Sequence, residues 1–291
     1  MSKKKKGIFS TIFLLLMLLV GLSVMLYPTI SDWWNSKVQT RAVANYEETV
    51  KNMKPEDYSR YFAEAEEYNR QLLRLAAPFS SYDEIEGYED VLNVSDTGII
   101  GYITIPCIKV ELPVYHGTSP EVLNIAAGHL QGSSLPIGGT NSHAVISAHR
   151  GLPSARLFTD LDQLDKGDLF TITVLDRVFT YEVEEILIVE PEETDKLSVI
   201  PNGDYVTLMT CTPYGINTHR MLIRSHRTEN VEKHEVRIFA DMVKVDPMLV
   251  IPFIAAPLFV ILMCVWIFGG RRIRKKPREI AECLVNERKG D

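Results

Sequence analysis

The stretch Tyr205-Val206-Thr207-Leu208-Met209-Thr210-Cys211-Thr212-Pro213-Tyr214-Gly215, followed after residues 216–219 by Arg220-Met221-Leu222-Ile223-Arg224, decides how this chain is read. Val206, Leu208 and Thr210 alternate with their neighbours as a strand requires, and Pro213-Tyr214-Gly215 is turn chemistry that ends it. The short apolar run from Arg220 reads as a second strand. If the two pair as a hairpin, Cys211 and Arg220 meet at its mouth. A cysteine beside a fixed cation is an arrangement that makes a thiol nucleophilic.

Outward from that hairpin, the upstream run His143-Ala-Val-Ile-Ser-Ala-His149-Arg-Gly151 also alternates and stops at glycine. It puts His149 at a strand end. His, Cys and Arg at the ends of three strands can surround one carbonyl. The thiolate attacks, the imidazolium protonates the leaving amine, and the guanidinium steadies the developing oxyanion. That chemistry is acyl transfer.

Thr207-Leu-Met-Thr-Cys211-Thr-Pro-Tyr-Gly215, Asn217-Thr-His-Arg220 and His149-Arg-Gly-Leu-Pro153 together resemble the signature of sortases, the cysteine transpeptidases of Gram-positive cell surfaces. The resemblance runs from roughly Gly98 to Arg227 and is nearest to the class C, pilus-assembling branch. It implies an eight-stranded closed barrel, with Cys211 as nucleophile, His149 as acid/base and Arg220 as the oxyanion or substrate-positioning arginine. It also implies an LPxTG-like sorting signal as substrate and a pilin lysine as acceptor. The alternative within the family is a housekeeping sortase that anchors surface proteins to a cell-wall precursor. The expected partners are pilin subunits or other surface proteins bearing that signal.

Other residues compete for these roles. His143 shares a face with His149, six residues earlier on the same strand, and is read as packing or hydrogen-bonding near the other strand end. His219 should point to the face opposite Arg220. Arg224 shares the face of Arg220, and a salt bridge is its simpler use. A papain-like protease would need Cys ahead of His, whereas His149 precedes Cys211. An adhesion protein in which Cys211 is merely core is the third class considered.

The rest of the middle of the chain is mostly β in pattern: 101–105, 111–115, 143–148, 169–174 and 178–189, the last two flanking a turn at Asp176-Arg177. Short helices are expected at 120–127 and 155–161. Many short strands with edges to hide predict a closed barrel over residues 98–247. Ahead of it, 28–97 is helical from Thr40 to Leu75, with a break at Lys54-Pro55. Tyr61, Ala65, Tyr68, Leu72 and Leu75 make a stripe that should pack on the barrel.

Residues 8–27 are uncharged, Leu-rich and long enough to span a bilayer, after the basic segment 1–7. Residues 248–270 form a second apolar stretch ahead of a basic tail, 271–291. The positive-inside rule then puts both termini in the cytoplasm and the catalytic domain outside. Trp33 and Trp34 fall where interfacial aromatics belong. The four leading lysines and the tail, +8 and −4, total +8 at the ends; against a net charge of −7 that leaves about −15 for the remainder. So acidic a middle rules out nucleic-acid binding. Of the four cysteines, Cys264 falls in the second apolar stretch and Cys283 in the tail. Cys107 is expected as a buried structural thiol. No CxxC pair, zinc spacing or phosphate loop appears, so neither metal nor cofactor is expected.

Class C sortases commonly carry an Asp-Pro-aromatic lid before the barrel. This chain has Pro78 and Phe79, but Ala77 stands where that aspartate would be. A lid without its ionic latch is the expectation, with Phe79 or Tyr82 as its plug.

Overall fold

The structure is a computed structural model that describes residues 3–230, with side chains from residue 12 onward. The second apolar stretch at 248–270, its basic tail, Cys264 and Cys283 lie outside the described residues. Those up to Thr29 belong to one compact unit, those from Ile30 onward to another.

A long helix, α1 (Lys3–Lys51), runs through Pro28 without a break. It is long and apolar enough to cross a membrane. Its last turns enter the folded unit: Val43, Tyr46 and Val50, spaced three and four apart, are all buried. Helix α2 (Pro55–Leu72) starts at the expected proline. Its expected stripe packs as read, with Ala65, Tyr68 and Leu72 buried and Tyr61 and Leu75 partly so.

Eight strands follow: β1 (Ile99–Ile105), β2 (Val110–His116), β3 (Ala127–His129), β4 (Ser142–Ser147), β5 (Leu169–Val174), β6 (Arg177–Val189), β7 (Asp204–Thr212) and β8 (His219–Arg227). They close into a barrel in the order β1-β2-β3-β4-β7-β8-β6-β5, with β5 bonded back to β1. Closure removes the sheet edges that eight short strands would otherwise expose. Two pairings are parallel, β2 with β3 and β4 with β7. The second matters most here, because it sets the C-terminal ends of β4 and β7 side by side.

Four expectations are corrected. The helix expected at 120–127 is a single turn, Pro120–Leu123, and Ala127 opens β3, whose Ala-Gly-His is too short to show alternation. The turn between β5 and β6 is Leu175-Asp176, since Val174 pairs with Arg177. The helix expected at 155–161 does not form; Leu157 adopts a φ of 42°, outside the helical region, and only Leu161–Gln163 makes a single 3-10 turn. Cys107 is exposed, because the chain leaves β1 and turns through Pro106–Ile108 with Lys109 left-handed instead of continuing as a strand. Desolvation and the nearby Asp168 carboxylate push its thiol up to about 11, so it stays protonated.

Candidate active site

Alternation along three neighbouring strands separates the interior from a working face. Ala144 and Ile146 of β4, Val206 and Leu208 of β7, and Met221 and Ile223 of β8 belong to the barrel core. Their alternate neighbours turn outward: Val145, Met209 and Leu222 pack in a second apolar group on the outer face. Cys211 and Arg220 continue that outward series.

Cys211 pairs directly with Arg220 across the β7–β8 ladder. Side chains opposite each other in an antiparallel pair stand about 5 Å apart at Cβ. On the other flank β4 runs parallel to β7, with Ser147 opposite Met209. Two residues on, that register carries His149 alongside Cys211. The ladder extends past the strand end, because Ala148 N–H donates to the Met209 carbonyl at 3.2 Å and Thr210 Oγ1 donates to the Ala148 carbonyl at 2.9 Å. His149, Cys211 and Arg220 are therefore on three adjacent strands at one end of the barrel, each half-buried.

The segment carrying His149 is clamped further on. The His149 carbonyl accepts from Phe158 N–H at 3.1 Å, and Gly151 N–H donates to Thr159 Oγ1 at 3.1 Å. Arg150 pairs with Asp162 at 2.6 Å, and its guanidinium lies 5.9 Å from the Tyr214 ring centre. Gly151 has a φ of +77°, and a Cβ there would stand 3.0 Å from the Tyr214 ring. The turn after Cys211 thus rests on the residues after His149. Burial lowers the His149 pKa below its ordinary value, so the ring is neutral at pH 7 and free to take a proton.

The competing residues are engaged elsewhere. His143 is fully buried, its two ring nitrogens 2.9 Å from the Ser198 carbonyl and 2.7 Å from Thr207 Oγ1. Arg224 is ion-paired with Glu185 of β6. His219 lies 3.2 Å from Glu190. Arg220 donates only to the carbonyls of Asn217 and His219, at 3.4 and 3.1 Å, and among the described residues it has no carboxylate partner.

Next to Cys211 and Arg220 the outer face is apolar. Val145, Val189, Leu197 and Leu222 are buried there, with Leu130, Leu187, Met209 and Phe79 packed against them. Phe79 arrives from α3 (Pro78–Ser81), a single turn ahead of the barrel. The fit is close: a Cβ on Gly132 would stand 2.7 Å from both Phe79 Cα and the Pro78 carbonyl. Tyr82 opens the next 3-10 turn, Tyr82–Glu84, and packs in neither apolar group. Val145, Val189, Leu197 and Leu222 are not legible as a group in the sequence, since four apolar residues on four separate elements share no local pattern.

The Sortase domain family matches residues 103–228. Sortase C1 from Streptococcus agalactiae is 44% identical, with a TM-score of 0.60 over 66% of this chain and 100% of that one. The chain belongs to the sortase family. Among its other class C neighbours is a Clostridium perfringens sortase C solved with the C-terminal cell wall sorting motif, at 39% identity and a TM-score of 0.58 over 66% and 100% of the two chains. Another is the pilus-related sortase C of Group B Streptococcus, at 39% identity and a TM-score of 0.57 over 64% and 96%. The chain spans about half the length of the first curated relatives it matches. The eight-stranded barrel expected from sequence is thus the fold this family shares with the chain.

Proposed function

We propose that this sortase is a membrane-anchored class C transpeptidase that cleaves an LPxTG-like signal and joins the acyl group to an amine, a pilin lysine, to polymerise pili. The observation that carries this reading is Cys211 flanked on one side by His149 and on the other by Arg220, which has no carboxylate partner among the described residues. In the first half-reaction Cys211 Sγ bonds to the carbonyl carbon of the signal's threonine and the Thr–Gly amide bond breaks. A neutral His149 takes the thiol proton and returns it to the departing glycine amine. Arg220 faces the carbonyl oxygen as it gains charge. The acceptor amine then attacks the thioester, an amide forms, and the thiol is regenerated. Pilus assembly is favoured over housekeeping anchoring by the class C likeness and by the segment over the apolar face, which Phe79 plugs.

Cys211→Ala tests the chemistry. Wild-type protein incubated with a sorting-signal peptide should yield a mass-shifted acyl-enzyme, and Cys211→Ala should yield neither adduct nor polymer. Polymer made by Cys211→Ala would exclude the reading. The domains are read as a basic segment 1–7, a span 8–27, a helical and lid region 28–97, the barrel 98–247, a second span 248–270 and a tail 271–291. Lysines 3–6 and the basic cluster 271–276 support a two-pass topology with both ends cytoplasmic. A tag fused after Asp291 should survive protease added to intact protoplasts; its loss would reverse the orientation.

A further inference from the structure

Helix α1 presents polar side chains to the catalytic barrel on the same face that is apolar further along. Asp32, Asn35 and Gln39 are spaced three and four apart, and the series continues as the buried Val43, Tyr46 and Val50. All six fall in the folded unit that begins at Ile30. Each polar member meets a backbone group of a loop. Asp32 Oδ1 accepts from Arg156 N–H at 2.7 Å, Asn35 Nδ2 donates to the Ser154 carbonyl at 2.7 Å, and Gln39 Nε2 donates to the Ile125 carbonyl at 2.7 Å. Trp33 and Trp34, between the first two, remain exposed.

Ser154 and Arg156 are not in an arbitrary loop. They lie between His149 and Phe158, whose main chains are bonded to each other. Leu152 bridges to Ala155 inside the same loop. The start of the loop is fixed to β7 through Ala148, and its tip is fixed to α1 through Asp32 and Asn35. We propose that Asp32 and Asn35 are positioning residues for His149: the helix that follows the apolar stretch holds the acid/base loop in register with Cys211. The inference rests on His149 being the acid/base. It assigns a catalytic consequence to a segment read from sequence only as following the membrane span.

Gln39 supplies the comparison, since it makes the same kind of bond from the same face to a loop remote in sequence from His149. The experiment uses the full chain in detergent with a fluorogenic Leu-Pro-x-Thr-Gly peptide, and also follows alkylation of Cys211 by iodoacetamide against pH. A reacting group misplaced by about 1 Å can cost on the order of 100-fold, so a loosened loop should lower kcat roughly 10-fold in the double variant Asp32→Ala/Asn35→Ala, with KM changed less than about two-fold. The pH midpoint of alkylation should move with it. Asp32→Asn should behave as wild type, because its amide oxygen accepts from the same N–H, and Gln39→Ala should leave kcat and the midpoint alone. A wild-type kcat in the double variant overturns the inference. So does an equal loss in Gln39→Ala, which would make the effect general bracing. His149→Gln is measured alongside: if it keeps turnover, the acid/base reading fails and this inference with it, whereas an inactive His149→Gln beside a fully active double variant sinks the inference alone.

Discussion

Arg220 and Arg224 stand on one face of β8, four residues apart, yet they meet different surroundings. Arg224 has its charge met by Glu185 and lies 6.0 Å from the Tyr205 ring centre. Arg220 opposes Cys211 in the ladder and, among the described residues, bonds only to the backbone carbonyls of Asn217 and His219. A guanidinium without a carboxylate partner keeps its donors free for an oxyanion that exists only during reaction. Loss of one such donor costs on the order of 100-fold or more in rate, so Arg220→Ala should fall at least that far in kcat while remaining folded. Arg220→Lys should recover little, because a point charge lacks the planar fork. Arg224→Ala should act through stability, leaving Glu185 unpaired, with turnover per folded molecule close to wild type. Comparable turnover losses in folded Arg220→Ala and Arg224→Ala would show that the two roles are misassigned. The strand-end positions of Cys211, His149 and Arg220 could be read from sequence because each lies beside turn residues, where periodicity stops. The approach of the Tyr214 ring to Gly151 could not, because it joins two loops sixty-three residues apart.

At the level of elements, strands with alternating side chains were legible, and β5 begins and ends where its pattern does. Strand β3 was not, since three residues carry no period. The parallel pairing of β4 with β7, which brings His149 to Cys211, is likewise a matter of topology that no local pattern encodes. Helix α3 is the element whose sequence says most about control. Its first turn depends on Ala77, whose carbonyl accepts from the N–H groups of Ser80 and Ser81 at 2.9 and 3.0 Å, while its methyl group can cap nothing. An aspartate at that position could do two things: cap α3, or pair with the free Arg220. An ion pair worth about 1 kcal/mol would raise the ratio of closed to open lid roughly five-fold. Labelling of Cys211 by a thiol reagent should therefore be several-fold slower in Ala77→Asp than in wild type. Ala77→Asn separates the two effects, because it caps as well as aspartate but carries no charge. If it slows labelling as much as Ala77→Asp, the gain is capping and Arg220 is not the latch. Equal rates in all three proteins would mean that this segment does not gate the thiol.

Across the whole molecule, buried histidines tie the segment after α3 to the barrel and make stability depend on pH. His129 of β3 is fully buried; its Nε2–H donates to the Ser134 carbonyl at 2.8 Å and its Nδ1 accepts from Tyr88 Oη at 2.8 Å. Tyr88 Oη in turn accepts from Gly117 N–H at 2.9 Å. The neutral tautomer satisfies every group in this chain of bonds, and burial pushes the His129 pKa down to about 4. His116, which reaches the carbonyls of Val91 and Gly98, and His143 are lowered by burial as well. Above the ordinary histidine pKa of about 6.5 neither state binds these protons, and stability is independent of them. Between about 6.5 and 4 the unfolded chain binds a proton that folded His129 refuses, so stability falls as pH falls. For His129 alone the loss reaches about 3 kcal/mol by pH 4. Denaturant unfolding of the full chain should therefore give a midpoint that is level from pH 8 to 7 and drops steadily from 6.5 towards 4.5. His129→Gln, which keeps an amide donor and acceptor in place of the ring but cannot titrate, should start less stable at pH 7 and lose less on acidification. A wild-type midpoint that holds level down to pH 4.5 would mean that the buried rings take up protons in the folded barrel, and that the hydrogen bonds joining Tyr88, His129 and Ser134 rearrange to admit the charge.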